Sequence, residues 1–250
     1  MNPLSANMKN ENQISGKATI TIRRANERGH ANHGWLDSYH SFSFAAYQDP
    51  NHESFGALRV INEDRVKPGM GFGMHGHRDM EIVSYVLDGA LEHKDNMGTG
   101  SIIRPGDVQR MSAGRGVLHS EFNPSKKEEV HFLQIWIIPN VDNIPPSYEQ
   151  KYFSTEQKRG QLCLIGSNDG RDGSVTVKQD VSIYAGLFDG VEGAVYDIQS
   201  ERHLYIHIAS GSVTINDNQL EAGDAIMSLD SHQIAIKDGR NAEILMFDLA

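Results

Sequence analysis

Two alternate-residue pairs in the sequence could do chemistry: His75 and His77, closing Gly69-Met70-Gly71-Phe72-Gly73-Met74-His75-Gly76-His77, and His119 and Glu121 around Ser120. Residues i and i+2 of an extended strand project to the same face. Each pair could therefore present two donors into one interior. Two converging pairs make three imidazoles and one carboxylate, an N3O set suited to Fe, Cu, Ni, Mn or Zn. A divalent ion held this way keeps a net charge of about +1, and under six-coordination about two positions stay open for substrate and O2 or water. Such a centre supports O2 chemistry on an oxygen-donor substrate or simple Lewis-acid chemistry. An H-x-H pair alone is a weak signal, because twelve histidines in 250 residues give about 0.6 such pairs by chance. The weight comes from the combination: a Gly-rich entry to the first pair, Pro105-Gly106-Asp107 between the pairs, and Ala113-Gly114-Arg115-Gly116 leading into the second.

The elements that must position these side chains are strands. Helical periodicity is scarce, and short runs rich in Val, Ile, Phe and Tyr recur between Gly, Asp, Asn and Pro, which predicts an all-β sandwich or barrel. Strands are predicted at 18–23, 56–62, 81–87, 90–94, 108–112 and 130–138, and again at 161–165, 174–178, 182–187, 194–198, 203–209, 212–215, 224–228 and 243–248. Residues 139–146 hold Pro139, Pro145 and Pro146 and break the pattern, and one short helix is predicted near Tyr148 to Phe153. A strand, a Gly turn, a strand and a tight Gly-Asp turn occur twice. Leu87-Asp88-Gly89-Ala90-Leu91 and Pro105-Gly106-Asp107 match Ala209-Ser210-Gly211-Ser212-Val213 and Ala222-Gly223-Asp224. The chain is therefore divided into a polar tail over 1–16, a β domain over 17–139, a linker over 140–160 and a second β domain over 161–250.

Composition excludes several classes. Lys and Arg total 23 against 33 Asp and Glu, a formal charge of −10, and Lys126-Lys127 is the longest basic cluster, so direct nucleic-acid binding is not expected. No apolar run approaches the ~20 residues that span a bilayer, so no membrane partner is expected. The first sixteen residues have no apolar core of a secretory signal. The single cysteine, Cys163, forbids an internal disulfide and reads as a buried small apolar residue; together these predict a cytoplasmic protein. His30, His33 and His40 read as structural, His93 and His131 as satisfied or exposed strand residues, and Trp35, Trp136, Phe42 and Phe44 as core packing.

The first histidine stretch resembles cupin motif 1, with Gly69, His75, His77 and Glu81 in register and Gly89 one residue late. The second is similar to motif 2 in its H-x3-N ending, His119 to Asn123. More narrowly, the chain resembles the pirin family and its bacterial quercetinase-like members. The similar stretches are Arg28 to Leu36, Ser41 to Phe44, His75 to Gly89 and Met111 to Asn123. The resemblance implies a double cupin of two β-barrel or jelly-roll domains with few short helices, its one metal in the N-terminal barrel. Ordinary cupins use the motif 1 glutamate, here Glu81, as oxygen ligand, whereas pirins use the residue matching Glu121. The expected ligands are therefore His75, His77, His119 and Glu121, with Glu81 a hydrogen-bond partner behind them. Spacing alone leaves Glu81 open, because it shares the parity of His77. At the repeat offset, Ile236 stands for His119 and Asp238 for Glu121, so the C-terminal domain is expected to be metal-free.

The resemblance implies flavonol 2,4-dioxygenase activity, in which a heterocycle such as quercetin's is opened with O2 as co-substrate and CO leaves. Iron heads the expected ions, with Cu, Ni, Mn, Co and Zn as alternatives. Glu121 would accept the proton of the flavonol 3-hydroxyl, making it the catalytic base. Two other readings compete: a metal- or redox-sensing protein that acts through protein partners without catalysis, and a zinc cupin that isomerises or hydrolyses without O2.

Overall fold

The computed structural model describes residues 20–229 and 231–250. The polar tail over 1–16, and Ala18 and Thr19 at the start of the first expected strand, lie outside the described residues. Alternating and continuous apolar runs become twenty strands among the described residues. In the first half these are β1 (Ile20–Arg23), β2 (Gly29–Asn32), β3 (Leu36–His40), β4 (Leu58–Val66), β5 (Gly71–His77) and β6 (Glu81–Asp88). They continue as β7 (Leu91–Asp95), β8 (Gly100–Ile103), β9 (Asp107–Ser112), β10 (Val117–Phe122), β11 (Val130–Ile137) and β12 (Ser147–Tyr152). After helix α1 (Thr155–Lys158) come β13 (Cys163–Ser167), β14 (Val175–Thr176), β15 (Val181–Phe188) and β16 (Ala194–Asp197). The chain closes with β17 (His203–Ile215), β18 (Asn218–Glu221), β19 (Ala225–Ser228) and β20 (Gln233–Leu249).

Among the described residues three sheets result, and none closes into a barrel. A seven-stranded sheet runs β12-β9-β6-β11-β4-β3-β2, and a four-stranded sheet runs β5-β10-β7-β8. Leu36, Val66, Val86 and Phe132 of the first meet Leu91 and Ile103 of the second in one dry cluster, so the two sheets face each other. The second half forms a nine-stranded sheet, β1-β19-β17-β20-β15-β13-β14, with β16 added to β20 and β18 to β17. Strand β1 thus leaves the N-terminal half and pairs with β19. A core shared by Leu58, Ile61, Val83 and Ile135 on one side and Ile183, Tyr205, Leu245 and Phe247 on the other joins the halves. Burial of such side chains contributes on the order of 2 kcal/mol each.

The duplicated Gly-Asp turns share their hydrogen bonds. Asp107 donates its N–H to Arg104 and takes the Arg104 N–H on its carboxylate at 2.8 Å; Asp224 and Glu221 repeat both bonds, the second at 3.1 Å. Gly106 and Gly223, with φ of 95° and 86°, supply the left-handed backbone these turns require.

Four expectations are corrected. The helix near Tyr148 to Phe153 is strand β12, paired with β9 from Ser147↔Ser112 to Tyr152↔Asp107. A six-residue segment gains little from isolated helical turns, and the free edge of β9 satisfies its backbone. The helix forms just after it, where Ser154 and Gln157 make a reciprocal cap. Strands predicted at 203–209 and 212–215 are one bulged strand, and β20 begins ten residues before its expected start, continuing through irregular backbone where Asp238 and Asn241 take positive φ. Cys163 is only half-buried.

Candidate metal centre

Antiparallel pairing of β5 with β10 sets His75 opposite His119 and Phe72 opposite Glu121, with a bulge between His119 and Glu121. Gly71 permits this approach, since a Cβ there would lie 2.2 Å from the Glu121 carbonyl oxygen. The ring centroids of His75, His77 and His119 lie 4.4 to 4.9 Å apart. One nitrogen of each falls within 4.8 Å of the others, a spacing that could hold one ion. His75 Nδ1 lies 2.8 Å from the Gly73 carbonyl, which leaves its Nε2 for the centre. Among the described residues, the buried Nε2 atoms of His77 and His119 have no hydrogen-bond partner. Orphaned buried nitrogens are rare in folded proteins, and a metal satisfies them.

Burial lowers the pKa of His77 to about 4, and the neighbouring rings of His119 and His75 add to the effect. Burial likewise lowers His119 to about 3, with help from His75 and His93 and against the pull of Asp95. Both rings are therefore neutral at pH 7, with lone pairs free to coordinate.

Glu121 is buried and held from both sides. Ser84 donates to its Oε1 at 3.1 Å and Gln134 to its Oε2 at 2.8 Å, while Trp136 Nε1 donates to Gln134 at 3.2 Å. Its carboxylate falls into a second close group with His93 and His119, so His119 belongs to both groups. Glu81 sits elsewhere: its carboxylate accepts from Ser112 Oγ at 2.9 Å and from the Lys178 N–H at 3.1 Å, and burial raises its pKa. It makes no hydrogen bond to the three histidines and instead ties the two halves together.

Residues that spacing did not single out complete the centre. His93, fully buried, places Nδ1 3.5 Å from His119 Nδ1 and Nε2 3.0 Å from the buried Asp95 carboxylate. His119↔Asp95 and Glu121↔His93 are cross-strand partners, an arrangement readable only once β7 is known to flank β10. His131 is satisfied by Glu63 and Arg65, as a structural strand histidine.

The centre opens into a cavity of about 780 Å³ lined by Trp35, Phe44, Phe72 and Trp136 beside His75, His77 and Glu121. Trp136 lies edge-on to His77 at 4.9 Å and to Phe44 at 5.5 Å. Trp35 and Trp136 pack against core clusters as expected and also form cavity walls, Phe44 lines the cavity, and Phe42 packs against Tyr205 in the shared core. His30, His33 and His40 also line the cavity.

Comparison with known proteins agrees with this architecture. The family model described as Pirin matches residues 21–137, and that of a quercetinase C-terminal cupin domain matches 164–249. The chain is 49% identical to quercetin 2,3-dioxygenase of Escherichia coli K12, over 92% of this chain and 98% of that one. The crystal structure of the E. coli bacterial pirin YhhW in complex with nickel(II) superposes with a TM-score of 0.88 at 47% identity, covering 92% of this chain and 99% of that one. A quercetin 2,3-dioxygenase structure from Acinetobacter baumannii shares the fold, with a TM-score of 0.73 at 20% identity over 91% of this chain and 85% of that one.

Proposed function

The chain belongs to the pirin family, and from that premise we propose that it is a metal-dependent oxidoreductase that opens the heterocycle of a flavonol such as quercetin with O2 and releases CO. The observation that carries this reading is the convergence of three imidazoles, two with orphaned Nε2 atoms, on an aromatic-walled cavity that also holds Glu121. His75, His77, His119 and Glu121 would hold one divalent ion. Iron is the expected ion; Cu, Ni, Mn, Co and Zn are each compatible with three nitrogens and an oxygen. When bound, the ion supplies Lewis acidity and, if redox-active, one-electron chemistry toward O2.

The remaining work falls to side chains of this chain. Trp35, Phe44, Phe72 and Trp136 give the cavity the flat apolar surfaces that fit a planar aromatic ring and exclude water from it. Glu121 would accept the 3-hydroxyl proton, a reading supported by its position at the cavity wall, where Ser84 and Gln134 donate to its two oxygens. These two donors also limit how far the carboxylate swings when it takes that proton. Placement in the cytoplasm, argued from the lone Cys163, belongs to the same proposal.

Carbon monoxide captured by reduced haemoglobin tests the reaction class. One CO per flavonol consumed supports ring opening, whereas flavonol loss without CO points to another oxidation.

A further inference from the structure

Within the aromatic cavity, one wall is polar. Ser38 and His40 alternate on β3, Asn62 and Asp64 alternate on β4, and the register pairs Ser38 with Asp64 and His40 with Asn62. All four are buried, at 2 to 4% exposure, and all four line the cavity. Ser38 Oγ donates to Asp64 Oδ1, and His40 Nδ1 lies 2.9 Å from Asn62 Oδ1. These two bonds use Asp64 Oδ1, Asn62 Oδ1 and His40 Nδ1, and Asp64 Oδ2, Asn62 Nδ2 and His40 Nε2 take no part in them. With His40 donating through Nδ1, its Nε2 offers a lone pair, and Asn62 Nδ2 offers a donor. Burial raises the Asp64 pKa to about 7, and the nearby Glu121 and Glu63 charges add to this against the Ser38 hydrogen bond. Burial lowers that of His40. The wall thus mixes donors with acceptors.

That combination suits a hydroxyl group, which donates and accepts at once; a bare anion would meet the Asp64 carboxyl. Strand β3 is separated from β11, which carries Gln134, by β4, so His40 stands two strand spacings, roughly 10 Å, from the residue that holds Glu121. We propose that Ser38, His40, Asn62 and Asp64 form a hydroxyl-reading subsite, and that the substrate is an aromatic chelator with a phenolic hydroxyl on the ring remote from its chelating oxygens. This inference rests on the flavonol reading above and adds a requirement to it. A site whose buried polar groups await a hydroxyl disfavours the analogue lacking one, because those groups then stay unpaired.

The test compares kaempferol with galangin, which lacks the pendant-ring hydroxyl. Metal-loaded protein is titrated with each flavonol under argon, following Trp35 and Trp136 fluorescence, and then assayed in air. The wild type should bind kaempferol about tenfold more tightly than galangin, and His40→Phe and Asp64→Leu should each bring that ratio close to one. Thermal midpoint and metal content check that each variant is folded, and Asn62→Leu replaces either one that is not. Equal affinities in the wild type, or an undiminished ratio in folded variants, would overturn the subsite. Turnover of both flavonols with equal affinities keeps the oxygenase and removes the subsite; tenfold discrimination without turnover does the reverse.

Discussion

His93 and His119 face each other through their Nδ1 atoms at 3.5 Å, and the far nitrogen of His93 lies 3.0 Å from Asp95. Were His119 to hold an ion through Nε2, its Nδ1–H would donate to His93, whose Nε2–H would donate to Asp95. Asp95 is anchored in turn by the N–H groups of Met97 and Thr99, both at 2.9 Å. One tautomer would then be selected along the whole chain.

Removing that support should loosen the metal without removing a ligand. His93→Phe is expected to weaken metal retention about 10- to 100-fold in a competition titration against a chelator, and His93→Gln to recover part of the loss. Unchanged retention in both variants would show that His119 is oriented by other contacts.

Glu121 should matter more for turnover than for metal content. Glu121→Gln is expected to lower flavonol turnover about 100-fold or more, with metal stoichiometry still near that of the wild type. Parallel loss of metal and activity would make Glu121 a ligand without a base role. Ser84→Ala, which frees one carboxylate oxygen, should give a smaller loss in kcat than Glu121→Gln.

The shared core should make the halves unfold together, and a buried polar cluster lies across it. Lys158 Nζ donates to Tyr85 Oη at 2.9 Å and pairs with Glu243 at 3.2 Å, and Tyr85 donates to the same carboxylate. Glu243→Ala leaves the Lys158 ammonium buried and unpaired and should lower stability by about 3 kcal/mol in denaturant titration. Lys158→Met in the same chain should restore much of it. A variant no less stable than wild type would place the ammonium in solvent.

His207 gives a pH signature independent of the metal. It is fully buried, both ring nitrogens lack partners among the described residues, and burial together with the Arg28 charge lowers its pKa to about 3. As pH falls below about 6.5, the unfolded chain takes up this proton before the folded one, so stability falls between pH 6.5 and 3. His207→Phe should lose less stability than wild type from pH 7 to pH 5, by roughly 2 kcal/mol. Identical pH dependences would contradict the neutral buried ring.

Most strands and the meeting of three histidines were legible because both rest on period-two patterning, a local property. Val130 to Ile137 announces a buried strand by itself, and Gly69 to His77 carries its own motif. What stayed hidden depends on which strands become neighbours. His93 reads as an ordinary strand histidine until β7 is placed beside β10, and Ser84 and Gln134 carry no motif at all. The polar wall of Ser38, His40, Asn62 and Asp64 exists only through the pairing of β3 with β4, and β3 itself is a short mixed segment with weak alternation. Tyr148 to Phe153 reads as helix in isolation because the partner of this segment, the edge of β9, lies 35 to 45 residues away in sequence, from Ser147↔Ser112 to Tyr152↔Asp107. The Ser154-x-x-Gln157 cap marks the true helix start and was available in the sequence.

The central claim is that the three-histidine centre drives O2-dependent consumption of a flavonol. Quercetin absorbance is followed after addition to iron- or nickel-loaded protein, in air and under argon, with His119→Ala alongside. The account predicts loss in air only, and none with His119→Ala. Equal loss under argon, or no loss in air from protein that binds one metal per chain, would contradict it.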